Sequence, residues 1–326
     1  MKNRHYVLRR KAEKLFVYIL SLILAAITPL AGFNSPKVRF SVKFKSEESP
    51  YQVIGIFMLP QEALILEVRD KDEQRAYSLE CSTGETIPLE VDKWQWTAPL
   101  EAGLYPAKLK NTLSGESVTL NIFVMVPYEH LSREYLNGYR IGKYPTIPFR
   151  RLSIYKPPKG FVEVTKENED TLVSPHFKLK QFLCKQESSY PKYLVLRERL
   201  LLKLERLLEE VNAAGFQAST FNILSGYRTP YYNELIGNPK YSRHVYGGAA
   251  DIFIDENPKD GIMDDLNKDG EIDYKDAAVL YDIIDSFYGK LWYEPFIGGL
   301  ARYRKTQKHG PFVHVDVRGF HARWGD

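Results

Sequence analysis

Two residues of ligand type stand close together in an otherwise ordinary stretch. His244 is followed seven residues later by Asp251, with Gly247 and Gly248 between them. Imidazole and carboxylate are both ordinary zinc ligands, and paired glycines permit a turn that larger residues resist. A third candidate is His314, in Phe312-Val-His-Val-Asp-Val-Arg-Gly319. Val313, Val315 and Val317 alternate with His314 and Asp316, a period of two that places the polar pair on one face of a strand. Three protein ligands would leave the fourth tetrahedral position open for water, the catalytic rather than the structural zinc pattern. Upstream, Arg228 sits beside the turn signal Thr229-Pro230. Its guanidinium fork matches a carboxylate or a developing oxyanion.

The ordered set Ser225-Gly-Tyr-Arg-Thr229, then Ser242, His244, Gly247, Ala249 and Asp251, then His314 and Asp316 resembles the zinc D-alanyl-D-alanine carboxypeptidase and endopeptidase family of peptidoglycan hydrolases. The resemblance covers roughly residues 174–324. It implies an α+β fold with a small antiparallel sheet carrying the metal, shared with the hedgehog signalling domain. It also implies His244, Asp251 and His314 as zinc ligands, with Arg228 and Ser242 on the substrate side. The chain departs from the family at the general base. Where many members carry an acid three residues before the last His, or a His two before it, this chain has Pro311 and Phe312. The nearest candidates are His309 and Asp316. His309, with an ordinary pKa of about 6.5, suits a proton shuttle, and Asp316 suits the support of a ligand imidazole.

These residues need a frame. Tyr193, Leu196, Leu200, Leu204, Leu207 and Val211 recur at helical spacing, which predicts an amphipathic helix over 192–214 that stops at Gly215. It is expected behind the sheet. Asp251 opens a short apolar run that reads as a buried strand.

The rest of the chain divides readily. Of 326 residues, the first 31 hold six basic residues against Glu13. The formal net charge of +4 therefore conceals a remainder near −1, and nucleic acid is not an expected partner. Leu15–Phe33 follows, nineteen residues without a charge. The 1–33 segment reads as a signal peptide or membrane anchor, which places the body in the periplasm or at the cell surface. Residues 34–127 alternate apolar and polar, as in Val38, Phe40, Val42 and Phe44, and suggest an immunoglobulin-like β-sandwich. Trp94 and Trp96 are expected in its packing. Residues 128–173, rich in Tyr, Lys and Pro, read as a connector extended along the surface, and 174–326 as the peptidase domain. Cys81 and Cys184 fall in different domains and are expected unpaired.

Within the last domain lies an acidic insertion, 255–276, with nine acids and three lysines. Asp265, Asn267, Asp269, Asp273 and Asp276 occupy positions 1, 3, 5, 9 and 12 of a calcium-loop spacing. Gly270 stands at 6 and the Glu271 carbonyl at 7. This resembles EF-hand and dockerin loops, and a helix is expected after it, over 277–287. Three functions compete: a zinc peptidase acting on peptidoglycan stem peptides, a zinc-retaining but inactive cell-wall module, and a calcium-dependent adhesion protein. The peptidase is favoured.

Overall fold

The alternating residues near the start of the body form strands whose inward side chains share one core. The computed structural model describes residues 36–70 and 76–325. The basic head and the uncharged run Leu15–Phe33 lie outside them. No helix among the described residues is long and apolar enough to cross a membrane.

Nine strands come first: β1 (Lys37–Phe44), β2 (Glu47–Tyr51), β3 (Val53–Met58), β4 (Ala63–Arg69), β5 (Tyr77–Cys81), β6 (Glu85–Glu90), β7 (Lys93–Thr97), β8 (Gly103–Asn111) and β9 (Ser117–Val124). They make two sheets, β2-β1-β4-β7-β6 and β3-β9-β8-β5. Val42, Phe44, Leu66, Trp96, Leu109, Leu120 and Ile122, drawn from both sheets, are buried in a single core. Trp94 and Trp96 belong to that core, as their alternation with polar residues implies.

A second core begins at Phe57 and Phe123 and runs through the rest of the chain. Residues 128–173 contribute to it heavily and do not lie extended on the surface. Tyr139, Ile141, Tyr144, Tyr155 and Phe161 are all buried there, because the aromatic rings among the prolines carry large apolar area. Short strands β10 (Val126–Pro127), β11 (Tyr135–Leu136), β12 (Tyr139–Arg140), β13 (Gly160–Val164), β14 (Leu172–Ser174) and β15 (Phe177–Lys178) punctuate this region.

The predicted helix starts later than its periodicity suggests. Lys192–Leu194 is β16, paired with β13, and helix α1 runs Glu198–Ala213. Tyr193 fits the helical period but is buried, with Leu194, as a strand residue. Their neighbours Val195 and Leu196 give no N-cap side chain, and the first acid able to open a helix is Glu198. Glu198 also accepts from Phe57 N at 3.1 Å and Lys45 Nζ at 2.6 Å, tying α1 to the first sheets.

The last sheet has the order β17 (Asn222–Ser225), β18 (Ala249–Phe253), β20 (Phe312–Asp316), β19 (Gly299–Tyr303) and β21 (Ala322–Gly325), antiparallel except for β19 with β21. Two further helices, α2 (Pro230–Leu235) and α3 (Tyr274–Asp285), lie between its strands in sequence. α3 begins three residues before the expected 277, because Asp273 caps it by accepting from Lys275 N at 2.7 Å. The whole is an α+β mixture dominated by sheet.

Candidate metal centre

His244 sits on a single 3-10 turn, Arg243–Tyr246, which ends on Gly247 at φ 64°. The left-handed conformation favours glycine, and a Cβ there would also collide with Val195 O. Long-range bonds hold three residues of the turn. Arg243 Nη1 donates to Ile154 O at 2.8 Å, Tyr144 Oη to Val245 O at 3.0 Å, and Arg197 Nε to Tyr246 O at 2.9 Å. Tyr144 thus spends its one proton on Val245, so the 3.0 Å contact between its oxygen and Tyr227 Oη is donated by Tyr227.

Asp251 and His314 are direct cross-strand partners on β18 and β20. Asp251 Oδ1 lies 2.8 Å from His314 Nδ1 and 3.1 Å from His244 Nε2, and the two nitrogens are 3.1 Å apart. The three side chains are buried and form a group that could hold a metal ion. Their protonation follows from the groups behind them. His244 Nδ1 lies 2.7 Å from Gly226 O, which can only accept, so Nδ1 carries the hydrogen and Nε2 a lone pair. His314 Nε2 lies 3.2 Å from Asp316 Oδ2, a carboxylate held well below its usual range. Burial alone would raise Asp316; His314 and Arg318 outweigh it. The hydrogen is therefore on Nε2, and Nδ1 faces inward. Two nitrogen lone pairs and a carboxylate oxygen then converge on one point, and only a cation or a proton satisfies them together.

That donor set fits zinc. Ligand atoms around a tetrahedral zinc, each about 2.0–2.1 Å from it, stand roughly 3.3 Å apart, so the site needs to open by only a few tenths of an ångström. Burial drives His244 toward its neutral, ligating form. At His314 burial is outweighed by Asp251 and Asp316, which raise it. A metal binding at this centre would compete with a proton on His314.

The second oxygen of Asp251 is not spare. Arg228 Nη2 donates to Asp251 Oδ2 at 2.5 Å, and Arg228 Nε to Ser225 Oγ at 2.8 Å. The arginine expected to face substrate is thus anchored on a ligand, with its side chain still 13% exposed.

Residues 175–274 match the Peptidase M15 family. The matched segment holds Arg228, His244 and Asp251 and stops before His314. The structure brings the third ligand to the other two. Match and geometry together support a metallopeptidase with zinc as its metal. No curated protein matches the chain. A solved structure, the Lin-41 filamin domain, is similar at 11% identity with a TM-score of 0.17, over 27% of this chain and 97% of that chain. A likeness at that score carries no argument.

The other expected site residues fall as follows. Ser242 precedes the His244 turn and accepts from Val245 N at 3.1 Å through its carbonyl. His309 is half-buried in the loop before β20; its Nδ1 contacts Gly310 O at 2.8 Å and its ring packs edge-on to Phe312 at 5.0 Å. In the acidic insertion the carboxylates turn to their own backbone. Asp265 accepts from Asp269 and Gly270, Asn267 from Asp269, Asp269 from Glu271, and buried Asp276 from Leu266, Asn267 and Asp273. Lys275 Nζ reaches Asp269 at 2.7 Å.

Sequence reasoning missed the turn's straps, Tyr144, Arg197 and Arg243. It also missed Lys203, which is fully buried in α1 and donates to Asp316 O at 2.8 Å and Phe296 O at 2.9 Å. A lysine amid the leucines of an amphipathic face was the only signal available. A cavity of about 380 Å³ lies between residues 143–146 and α2, and none of the three ligands lines it.

Proposed function

We propose that the chain is a zinc peptidase that hydrolyses stem-peptide bonds of peptidoglycan, as a carboxypeptidase or endopeptidase, in cell-wall remodelling. The carrying observation is the convergence of His244 Nε2, His314 Nδ1 and Asp251 Oδ1, each with its other side already bonded. The peptidoglycan substrate and the D-alanyl-D-alanine class come from the motif resemblance, supported by Arg228 beside the ligands. Zinc in such a site lowers the pKa of bound water to about 7 and polarises the scissile carbonyl. Asp316 keeps the His314 ring in its ligating tautomer. Arg228 holds Asp251 and offers its guanidinium to a substrate carboxylate or carbonyl. His309, whose ring already reaches Phe312, is the group we assign to moving the proton between water and leaving amine.

In this reading residues 1–33 export or anchor the chain, so that the body works in the periplasm or at the cell surface. Residues 34–127 form an immunoglobulin-like sandwich and 174–326 the peptidase domain, with 128–173 packed into the core of the latter. A calcium ion at Asp265, Asn267, Asp269, Glu271 and Asp276 orders the insertion. Digestion of purified muropeptides, read by mass spectrometry, tests the function. Release of D-alanine or of a cleaved stem supports it. Zinc bound with no product selects the inactive cell-wall module instead. No zinc, with calcium-dependent partner binding through 34–127, selects the adhesion protein.

A further inference from the structure

Two of the three candidate metal ligands, Asp251 and His314, belong to one row that crosses all five strands of their sheet, with His244 on the turn beside it. Reading the register across it gives Ser225, Asp251, His314, Ala301 and Trp324, each paired with the next. Cross-strand partners share a face. At the β17 end of the row stands the guanidinium of Arg228, bonded to Ser225 and Asp251. At the other end stands an indole. Ala301, between His314 and Trp324, has only a methyl, and the Trp324 ring leans over it to lie 5.1 Å from the ring of His314.

The indole is fixed in that position. Its Nε1 donates to Tyr303 Oη at 2.7 Å, which uses its single polar group. Tyr303 in turn stacks on Phe312 at 4.7 Å and 15°. A Cβ on Gly299 would come within 2.5 Å of Trp324 Cη2, so the absence of a side chain there makes room for the ring. Arg318 backs the indole at 4.6 Å while its own charge is committed to Asp316. Yet Trp324 remains 37% exposed. An apolar ring held at both ends and beside a metal ligand, but left open to water, is suited to receive something.

We propose that Trp324 is a specificity-determining residue: with Tyr303 it forms an aromatic wall that takes an uncharged, apolar side chain of the substrate, on the side of the metal opposite Arg228. This rests on the peptidase reading. It adds a direction to that reading, because the peptide's anionic group goes toward β17 and its apolar residue toward β21. The backbone of Trp324 is two strand spacings of about 4.7–4.9 Å from that of His314, and the lean of the indole brings its ring to 5.1 Å from the imidazole, within reach of the residue flanking the scissile bond.

The test uses the full zinc-loaded chain with two probe sets. One is a panel of short peptides that differ only beside the scissile bond (Gly, Ala, Leu, Glu, Lys); the other is their non-hydrolysable phosphinate analogues, titrated calorimetrically. The wild type should prefer Ala and Leu over Gly, Glu and Lys. In Trp324→Ala the Leu-to-Gly preference should fall about tenfold or more, mostly in KM and in analogue affinity, with zinc content unchanged; Trp324→Phe should keep most of it. Ala301→Leu, which fills the gap the indole leans over, should lower the same preference without removing any ring. Equal losses for every side chain, or loss of zinc in Trp324→Ala, would overturn the proposal. If the wild type binds the analogues with the same preference but hydrolyses nothing, the peptidase reading fails and the wall stands. If it binds none of them, both fail.

Discussion

Asp316 grips the far side of the His314 ring, 3.2 Å from Nε2, while Asp251 meets the near side at Nδ1. One imidazole is therefore read by two carboxylates at opposite nitrogens, and only the near one belongs to the candidate ligand group. Asp316 is itself fixed by Arg318 and by Gly299 N at 2.8 Å. Replacing it with asparagine leaves the shape but removes the charge that favours the ligating tautomer. Asp316→Asn should weaken zinc binding about 10–100-fold, measured by chelator competition. Unchanged affinity would mean that the ring is oriented by packing alone.

Removing a ligand should be more severe. His244→Ala, Asp251→Ala and His314→Ala should each lose bound zinc and peptidase activity together, read by elemental analysis and product formation. A full zinc complement in His314→Ala would show that the third ligand is a different residue.

His309 is outside the ligand set, so its removal should separate metal from turnover. His309→Ala should lower kcat by roughly 10²-fold or more with zinc intact. Full turnover would move the shuttle elsewhere, with Asp316 the next to test.

The acidic insertion gives a prediction about stability. Its carboxylates crowd together with a net charge of −6, and a bound cation would relieve their repulsion. Calcium should raise the melting temperature of the wild type and have little effect on Asp265→Ala. A melting curve indifferent to calcium and to its chelation would leave the loop as a turn held by its own backbone bonds.

Lys203 sets a pH dependence. Burial lowers its pKa from 10.5 to about 7. The folded state therefore sheds this proton at a lower pH than the unfolded state does. Between about pH 7 and 10.5 the unfolded chain binds more protons, so this residue makes stability rise with pH across that window. In Lys203→Met the rise should disappear, although the carbonyls of Phe296 and Asp316 lose their donor. Denaturant midpoints at pH 6.5, 7.5 and 8.5 compare the two slopes. Parallel curves would show that Lys203 stays charged throughout.

What was readable in the sequence was local. His244 and Asp251 announce themselves because seven residues and two glycines suffice to bring them together. His314 and Asp316 share a face because a strand alternates. The straps on the His244 turn were not readable, since Tyr144 and Arg243 act across 101 and 89 residues, and their types are common everywhere in this chain. The start of α1 was misplaced for a related reason. Tyr193 satisfies the helical period by accident, and its real partner is Glu163 on β13. The aromatic wall was hidden as well, because Trp324 meets His314 only through a sheet register that no spacing encodes.

Asp251 and His314 stand 63 residues apart in the chain. A cation shared between them closes a loop of that length, as a covalent cross-link would, and both cysteines of the protein are free. Chain-entropy reasoning gives a closure of this size several kcal/mol of stabilisation, drawn from the unfolded ensemble. A metal bound there would be this protein's counterpart of a disulfide, installed by binding rather than oxidation and removable by a chelator without any reductant.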